Sequence, residues 1–283
     1  MTTATDLPFE LVQEILIASA WSSLNQAATL ARISHHIYDL VKPILFRTLV
    51  YWDEDTYWPC RVDSGWLKLN GRQARNILFG DNATTSEDVV MVLESCPNLI
   101  HIAIWLDTEE HDITSLLEPL SKLHPYRLSM DLNTLFGGVS FQEEHAQPPM
   151  FINLTHLEMA NSCEDWECME GIQHLPKLTH LSLPRNRDSE QATVSIIQNA
   201  FAHCPHLFLV VLFSSLSTRD ITKPGEVVIE GYLPPQIRAI GDPRVVSLAC
   251  AYFKEWLVGS QGGRDMWVVA EEIVERQRST GNL

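Results

Sequence analysis

The chain has no long apolar run. Its longest, which contains Phe208–Phe213, is a small fraction of the 283 residues and far short of the ~20 that a helix needs to cross a bilayer. The start, MTTATDLPFE, has no basic stretch and no apolar stretch, so no secretory signal is expected. Basic residues are scarce: 20 Lys and Arg stand against 36 Asp and Glu, a formal net charge of -16. Such a field repels phosphate backbones and anionic lipids, so neither nucleic acid nor membrane is an expected partner, whereas a basic protein surface would be attracted. The six cysteines, at 60, 96, 163, 168, 204 and 250, form no CxxC pair and no zinc spacing. They read as reduced thiols of a cytoplasmic or nuclear protein. Glycine-rich phosphate loops, a GxSxG elbow and an HExxH pair are also missing, so no enzyme activity, cofactor or metal is expected.

What is present begins in the first fifty residues. Asp6 is placed to cap a helix, with Leu7-Pro8 just inside its start. Leu11, Val12, Ile15 and Leu16 recur at helical spacing behind it. A second short apolar segment holds Leu24, Ala27, Leu30 and Ala31, and a third, from Ser34, holds Ile37, Tyr38, Leu40 and Val41, with Pro43 stopping or restarting it. Thr48–Trp52 reads as a strand. Three helices this short bury little among themselves, and an apolar surface left wet usually has a partner.

Leu7, Pro8, Glu10, Ile15, Leu16, Ala31, Ile33, Ser34, Tyr38, Leu40, Val41, Pro43, Leu45, Phe46 and Arg47 together make a string that resembles an F-box. The resemblance implies docking on the Skp-type adaptor of a cullin-RING ubiquitin ligase, and through it on a cullin. It assigns the contact to Leu7, Pro8, Leu11, Ile15, Leu16, Leu30, Ile33, Tyr38, Pro43 and Leu45, in a helix-in-groove mode.

The rest of the chain repeats a phrase: Cys96-Pro-Asn-Leu99, Leu175-Pro-Lys-Leu178 and Cys204-Pro-His-Leu207, each ahead of a strand-like run. The runs fit L-x-x-L-x-L-x-x-N with substitutions, through Leu178, Leu181 and Leu183, through Leu99, Ile102 and Ile104, and through Leu207, Val210 and Leu212. Weaker copies contain Ile77 and Phe79, Leu154 and Leu157, and Tyr126–Met130. The copies fall about 25 residues apart, a leucine-rich-repeat period. Helical segments fill the gaps at Ser86–Glu94, Asp112–Leu120 (interrupted by Pro119) and Asp188–Phe201. Further on, Gly225–Glu230 and Arg244–Cys250 read as strands, and Asp265–Arg278 as a capped helix that closes the last open end of the stack. The pattern resembles the divergent fungal F-box proteins with leucine-rich-repeat-like tails. The expected class is α+β overall: a small all-α F-box (1–50), a connecting aromatic segment (51–70), an α/β leucine-rich-repeat-like solenoid (71–258) and a capping helix with tail (259–283).

His156 and His180 recur in Leu-Thr-His-Leu, beside strand core positions. Alternation turns both rings away from the leucines, towards the concave surface or solvent, where they are candidates for contact with an unknown target protein. Histidine also suits a metal or catalytic role; the concave-surface reading is preferred. Glu109-Glu110-His111 and Glu143-Glu144-His145 read as solvated acidic loops, and the Tyr51, Trp52, Tyr57, Trp58 and Trp66 group as a weld between neighbours. The function expected is that of a substrate-recognition adaptor of an SCF-type ubiquitin ligase; the alternative is a protein-interaction scaffold independent of ubiquitin ligation.

Overall fold

The computed structural model describes residues 7–52, 63–80, 85–107, 111–137, 141, 143–160, 170–185, 190–215, 227–229 and 233–279. Asp6, the expected cap, lies outside them. Pro8 instead occupies the cap position of α1 (Phe9–Ser22), in extended conformation with φ −54° and ψ 142°. Serine hydroxyls start the next two helices: Ser23 Oγ accepts from Gln26 N at 3.1 Å ahead of α2 (Leu24–Ala31), and Ser34 Oγ accepts from Ile37 N at 3.2 Å ahead of α3 (His35–Leu45). Pro43 does not stop α3; it sits in the last turn, where few intrahelical bonds remain to be lost. Ala20, Ala27, Leu30, Val41 and Ile44 form a small core between the three helices, with Leu16, Ile17 and Leu45 packed against it.

Phe46 and Arg47 then carry the chain straight into β1 (Thr48–Tyr51), the edge of a nine-stranded sheet. The remaining strands are β2 (Asn76–Gly80), β3 (His101–Trp105), β4 (Arg127–Met130), β5 (His156–Met159), β6 (His180–Pro184), β7 (Leu209–Ser215), β8 (Val228–Ile229) and β9 (Val245–Cys250). Their spatial order is β1-β2-β3-β4-β5-β6-β7-β9-β8. All neighbours are parallel except β8, which runs antiparallel to β9.

The register is continuous. Ile77, Ile102, Leu128, Leu157, Leu181 and Val210 lie side by side, and Phe79, Ile104, Met130 and Met159 form the row two residues on. Both rows belong to the large core. It is closed by α4 (Ser64–Asn70), α5 (Ser86–Ser95), α6 (Leu117–Ser121), α7 (Leu132–Leu135), α8 (Glu190–His203), α9 (Pro235–Arg238) and short 3-10 turns.

The opposite face is covered as well. Leu209, Val211, Phe213, Val246, Leu248 and Cys250 pack against Met266, Trp267, Val269, Ala270, Ile273 and Val274 of α11 (Met266–Ser279). Leu78, Ala103 and Trp105 pack against Phe253 and Trp256 of α10 (Tyr252–Ser260).

This corrects the expected class. An α+β chain made of a separate all-α module and a solenoid gives way to one α/β fold, a largely parallel sheet with helices on both faces and α1–α3 continuous with its first strand. A solenoid leaves the second face of its strands open, whereas this face carries Leu209, Val211 and Leu248, whose burial needs a lid. The C-terminal helix is that lid rather than a plug for the end of a stack.

Cys96, Cys204 and Cys250 are free and buried. Burial pushes the Cys96 thiol up to about 12, so it is a core side chain and not a nucleophile at neutral pH. Trp52 lies against Phe253 and edge-on to Trp105, Tyr51 stacks on Phe79, and Trp66 meets Phe46 edge-on. Gly80 makes room for the Trp52 ring, since a Cβ there would run into it. Tyr57, Trp58, Glu109 and Glu110 lie outside the described residues.

Candidate functional site

Two surfaces hold the residues singled out by the sequence. The first is the outer face of α1–α3. Among the described residues twelve large apolar side chains are exposed, and seven of them fall between Leu7 and Ile33: Leu7, Phe9, Leu11, Ile15, Trp21, Leu24 and Ile33. That concentration makes a patch rather than the usual scatter of single apolar residues. The cause is local. In α1 the stripe Leu16, Ile17 and Ala20 faces the small core, while Leu7, just ahead of the helix, and Leu11 and Ile15 within it, four residues apart, form a second apolar stripe that no other described residue buries. Ile15 is 56% and Ile33 62% exposed, values more typical of charged side chains.

Of the residues the F-box resemblance assigns to an adaptor, Leu7, Pro8, Leu11, Ile15, Ile33 and Pro43 are exposed; Leu16, Tyr38 and Leu45 are half-buried; Leu30 is buried in the small core. Leu30 therefore supports the patch from behind. Phe9, Trp21 and Leu24 are additional members that the string did not assign. Phe9 lies against His36 with ring centres 5.5 Å apart, and the Arg47 guanidinium sits 4.8 Å above the Trp21 ring. Next to Ile33 a groove of about 470 Å³ is lined by Ala31, Arg32, Ser34, His35 and Tyr38.

The second surface is the covered face of the sheet. His101, Arg127, His156 and His180 stand in one row across β3–β6, and Asn76 extends it on β2. The C-terminal segment answers this row residue by residue. Asn76 Nδ2 donates to the Ser260 carbonyl at 2.7 Å, and His101 lies against Trp256 with ring centres 4.8 Å apart. Arg127 Nη1 donates to Asp265 Oδ2 at 2.8 Å. Trp267 meets the His156 and His180 rings edge-on, and His180 Nε2 lies 2.9 Å from Glu271 Oε1. Asp265 also caps α11, its Oδ1 accepting from Val268 N at 3.1 Å.

Further along the strands, Trp105 Nε1 donates to Ser129 Oγ at 2.8 Å and Ser129 bonds the Tyr252 hydroxyl at 2.9 Å. Burial pushes the neighbouring Glu158 carboxyl up to about 7, against hydrogen bonds from Ser129 and Tyr252 that hold it down. His156 and His180, expected on an open concave surface, thus lie beneath α11, His180 only 7% exposed, and this face offers an incoming protein no free access to them. Glu143, Glu144 and His145 fall in a short 3-10 turn where His145 stacks on Phe136 with centres 4.3 Å apart.

Neither a comparison with protein-family models nor one with curated proteins returns a match. Among the described residues no helix is long and apolar enough to cross a membrane.

Proposed function

We propose that this chain is a non-catalytic substrate receptor of an SCF-type (cullin-RING) ubiquitin ligase, docking on a Skp-type adaptor through the outer face of α1–α3. The observation that carries the reading is the second apolar stripe of α1. Leu7, Leu11 and Ile15 belong to the string that resembles an F-box, and the chain leaves them exposed. Burying each such side chain is worth about 1.5–3 kcal/mol, so a folded protein that leaves several of them wet at one place gains by handing them to a partner. The charge balance of the whole chain, -16, excludes neither an adaptor nor a basic target. With α10 and α11 over one sheet face, target recognition falls to the outer helices and to the loops between strands and helices. The receptor contributes proximity between target and ligase, not bond chemistry, and works where such ligases work, in the cytoplasm or nucleus.

Co-expression with a Skp-type adaptor tests this. The wild-type chain should co-purify with it, and Leu11→Asp with Ile15→Asp should abolish co-purification while leaving the far-ultraviolet circular dichroism unchanged. Equal recovery of both forms, or of neither, would defeat the reading; in the second case an interaction scaffold independent of ubiquitin ligation takes its place.

A further inference from the structure

We infer that His156 Nε2, His180 Nε2 and a Glu271 carboxylate oxygen form a site for one divalent cation, zinc by ligand chemistry, that clamps α11 to the sheet. The inference is independent of the docking reading. It starts from the three side chains themselves: one ligand atom from each lies within 4.8 Å of the other two, on strands β5 and β6 and on the helix that covers them.

Counting protons gives the cluster its character. Thr155 Oγ1 donates its only proton to the Tyr126 carbonyl at 2.9 Å. Its contact of 2.9 Å with His156 Nδ1 must then be a hydrogen bond donated by the ring. The same pattern recurs one strand over, where Thr179 Oγ1 donates to the Thr155 carbonyl at 3.0 Å and so accepts from His180 Nδ1 at 2.7 Å. Both rings therefore carry a proton on Nδ1, and in the neutral form both carry a lone pair on Nε2. His180 Nε2 nevertheless lies 2.9 Å from Glu271 Oε1, an oxygen that when ionised only accepts. Two lone pairs and a carboxylate converge with no donor between them, so a positive species belongs there, either a shared proton or a metal ion.

Several features favour the metal. Each Nδ1–H is fixed by a hydroxyl, the outer-shell arrangement that orients a ligating imidazole. Two imidazoles and one carboxylate, with a fourth position left for water, is a ligand set that zinc accepts. The nearest fixed cation, Arg127, is one strand from His156 and already paired with Asp265 at 2.8 Å. Trp267 walls the rings edge-on, with centres at 5.2 and 5.6 Å. Glu271 keeps 41% of its side chain exposed, which gives an ion a way in and lets the carboxylate move towards it. The rings now stack in parallel, with centres 4.0 Å apart, and they must tilt towards each other to share an ion.

Titration of the chelator-stripped full chain with zinc chloride, by calorimetry under reducing conditions, tests the inference. One zinc per chain is expected, with affinity falling about tenfold or more in Glu271→Gln and in His156→Gln. Cobalt(II) should give d–d bands without thiolate charge-transfer absorption, and zinc should slow amide exchange in α11 of the wild type but not of Glu271→Gln. The half-exposed Glu271 position keeps the test valid if His156→Gln fails to fold. No stoichiometric binding would leave only the shared proton. Equal binding by wild type and Glu271→Gln, or a thiolate band, would assign the ion to the cysteines; each of these results overturns the inference.

Discussion

Glu255 on the covering helix α10 and His101 on the sheet face beneath the lid make stability depend on pH in opposite directions. Glu255 is 3% exposed, and its Oε2 has no hydrogen-bond partner. Burial first, and the nearby Asp265 carboxylate second, push its carboxyl from 4.5 up to about 7; the Met266 N–H and Arg264 pull the other way. The folded state therefore holds a proton that the unfolded state has released between those two values. Its stabilising contribution is complete below 4.5 and is lost as pH rises through 7. Glu255→Gln keeps the shape and removes the charge. It should be more stable than wild type at pH 8 by on the order of 2–3 kcal/mol, with the difference vanishing near pH 4.5; chemical denaturation at the two pH values reads this directly. His101 works the other way. Burial, and then Arg127, hold its ring down at about 3, so its contribution is present above 6.5 and fades as pH falls below that value. Gly259 is a second point of sensitivity. A Cβ there would strike the Asp265 carboxylate, which both caps α11 and pairs with Arg127. Gly259→Ala, normally favourable in a helix, should lower the melting temperature here, and a rise instead would show that Asp265 is free to move.

The lid formed by α10 and α11 is held by apolar packing along Trp267, Ala270 and Val274 and by the polar row from Asn76 to His180. Trp267→Ala removes a 5%-exposed ring that touches both histidines, and should cost about 3–5 kcal/mol while raising amide exchange throughout α11. An unchanged melting temperature would mean that the lid is not part of the cooperative core. Most of the large core was legible in the sequence. The spacing Leu178, Leu181, Leu183 and its copies at Ile102, Ile104 and Val210, Leu212 marked strands, because residues two apart share a strand face, and those positions do lie in register. The helix from Asp265 was legible from its cap and apolar spacing. Its position was not. His101, Arg127, His156 and His180 alternate with leucine and isoleucine as residues of a solvated face do, and alternation cannot tell water from covering helices that return Trp256, Asp265, Trp267 and Glu271 to that row. Nor was α10 legible, since Tyr252–Ser260 follows a strand without a capping side chain and ends in a glycine-rich stretch.

At the scale of the molecule, helices cover both faces of the sheet, and seven of the twelve exposed large apolar side chains among the described residues gather between Leu7 and Ile33. The sequence pointed to this patch through Leu7, Leu11, Ile15 and Ile33; it did not separate them from Leu30, which the small core absorbs, because helical spacing marks apolar stripes without saying which of two is covered. The docking proposal requires that this outer stripe serve a partner and not the fold. A calorimetric titration of a purified Skp-type adaptor into the wild-type chain and into Ile15→Glu, with the melting temperature of each recorded beside it, tests that claim most directly. Equal melting temperatures are expected, with an affinity at least ~30-fold weaker for the variant, a cost of about 2 kcal/mol or more. An unchanged affinity, or a variant that unfolds because Ile15 serves the chain's own core, would contradict it.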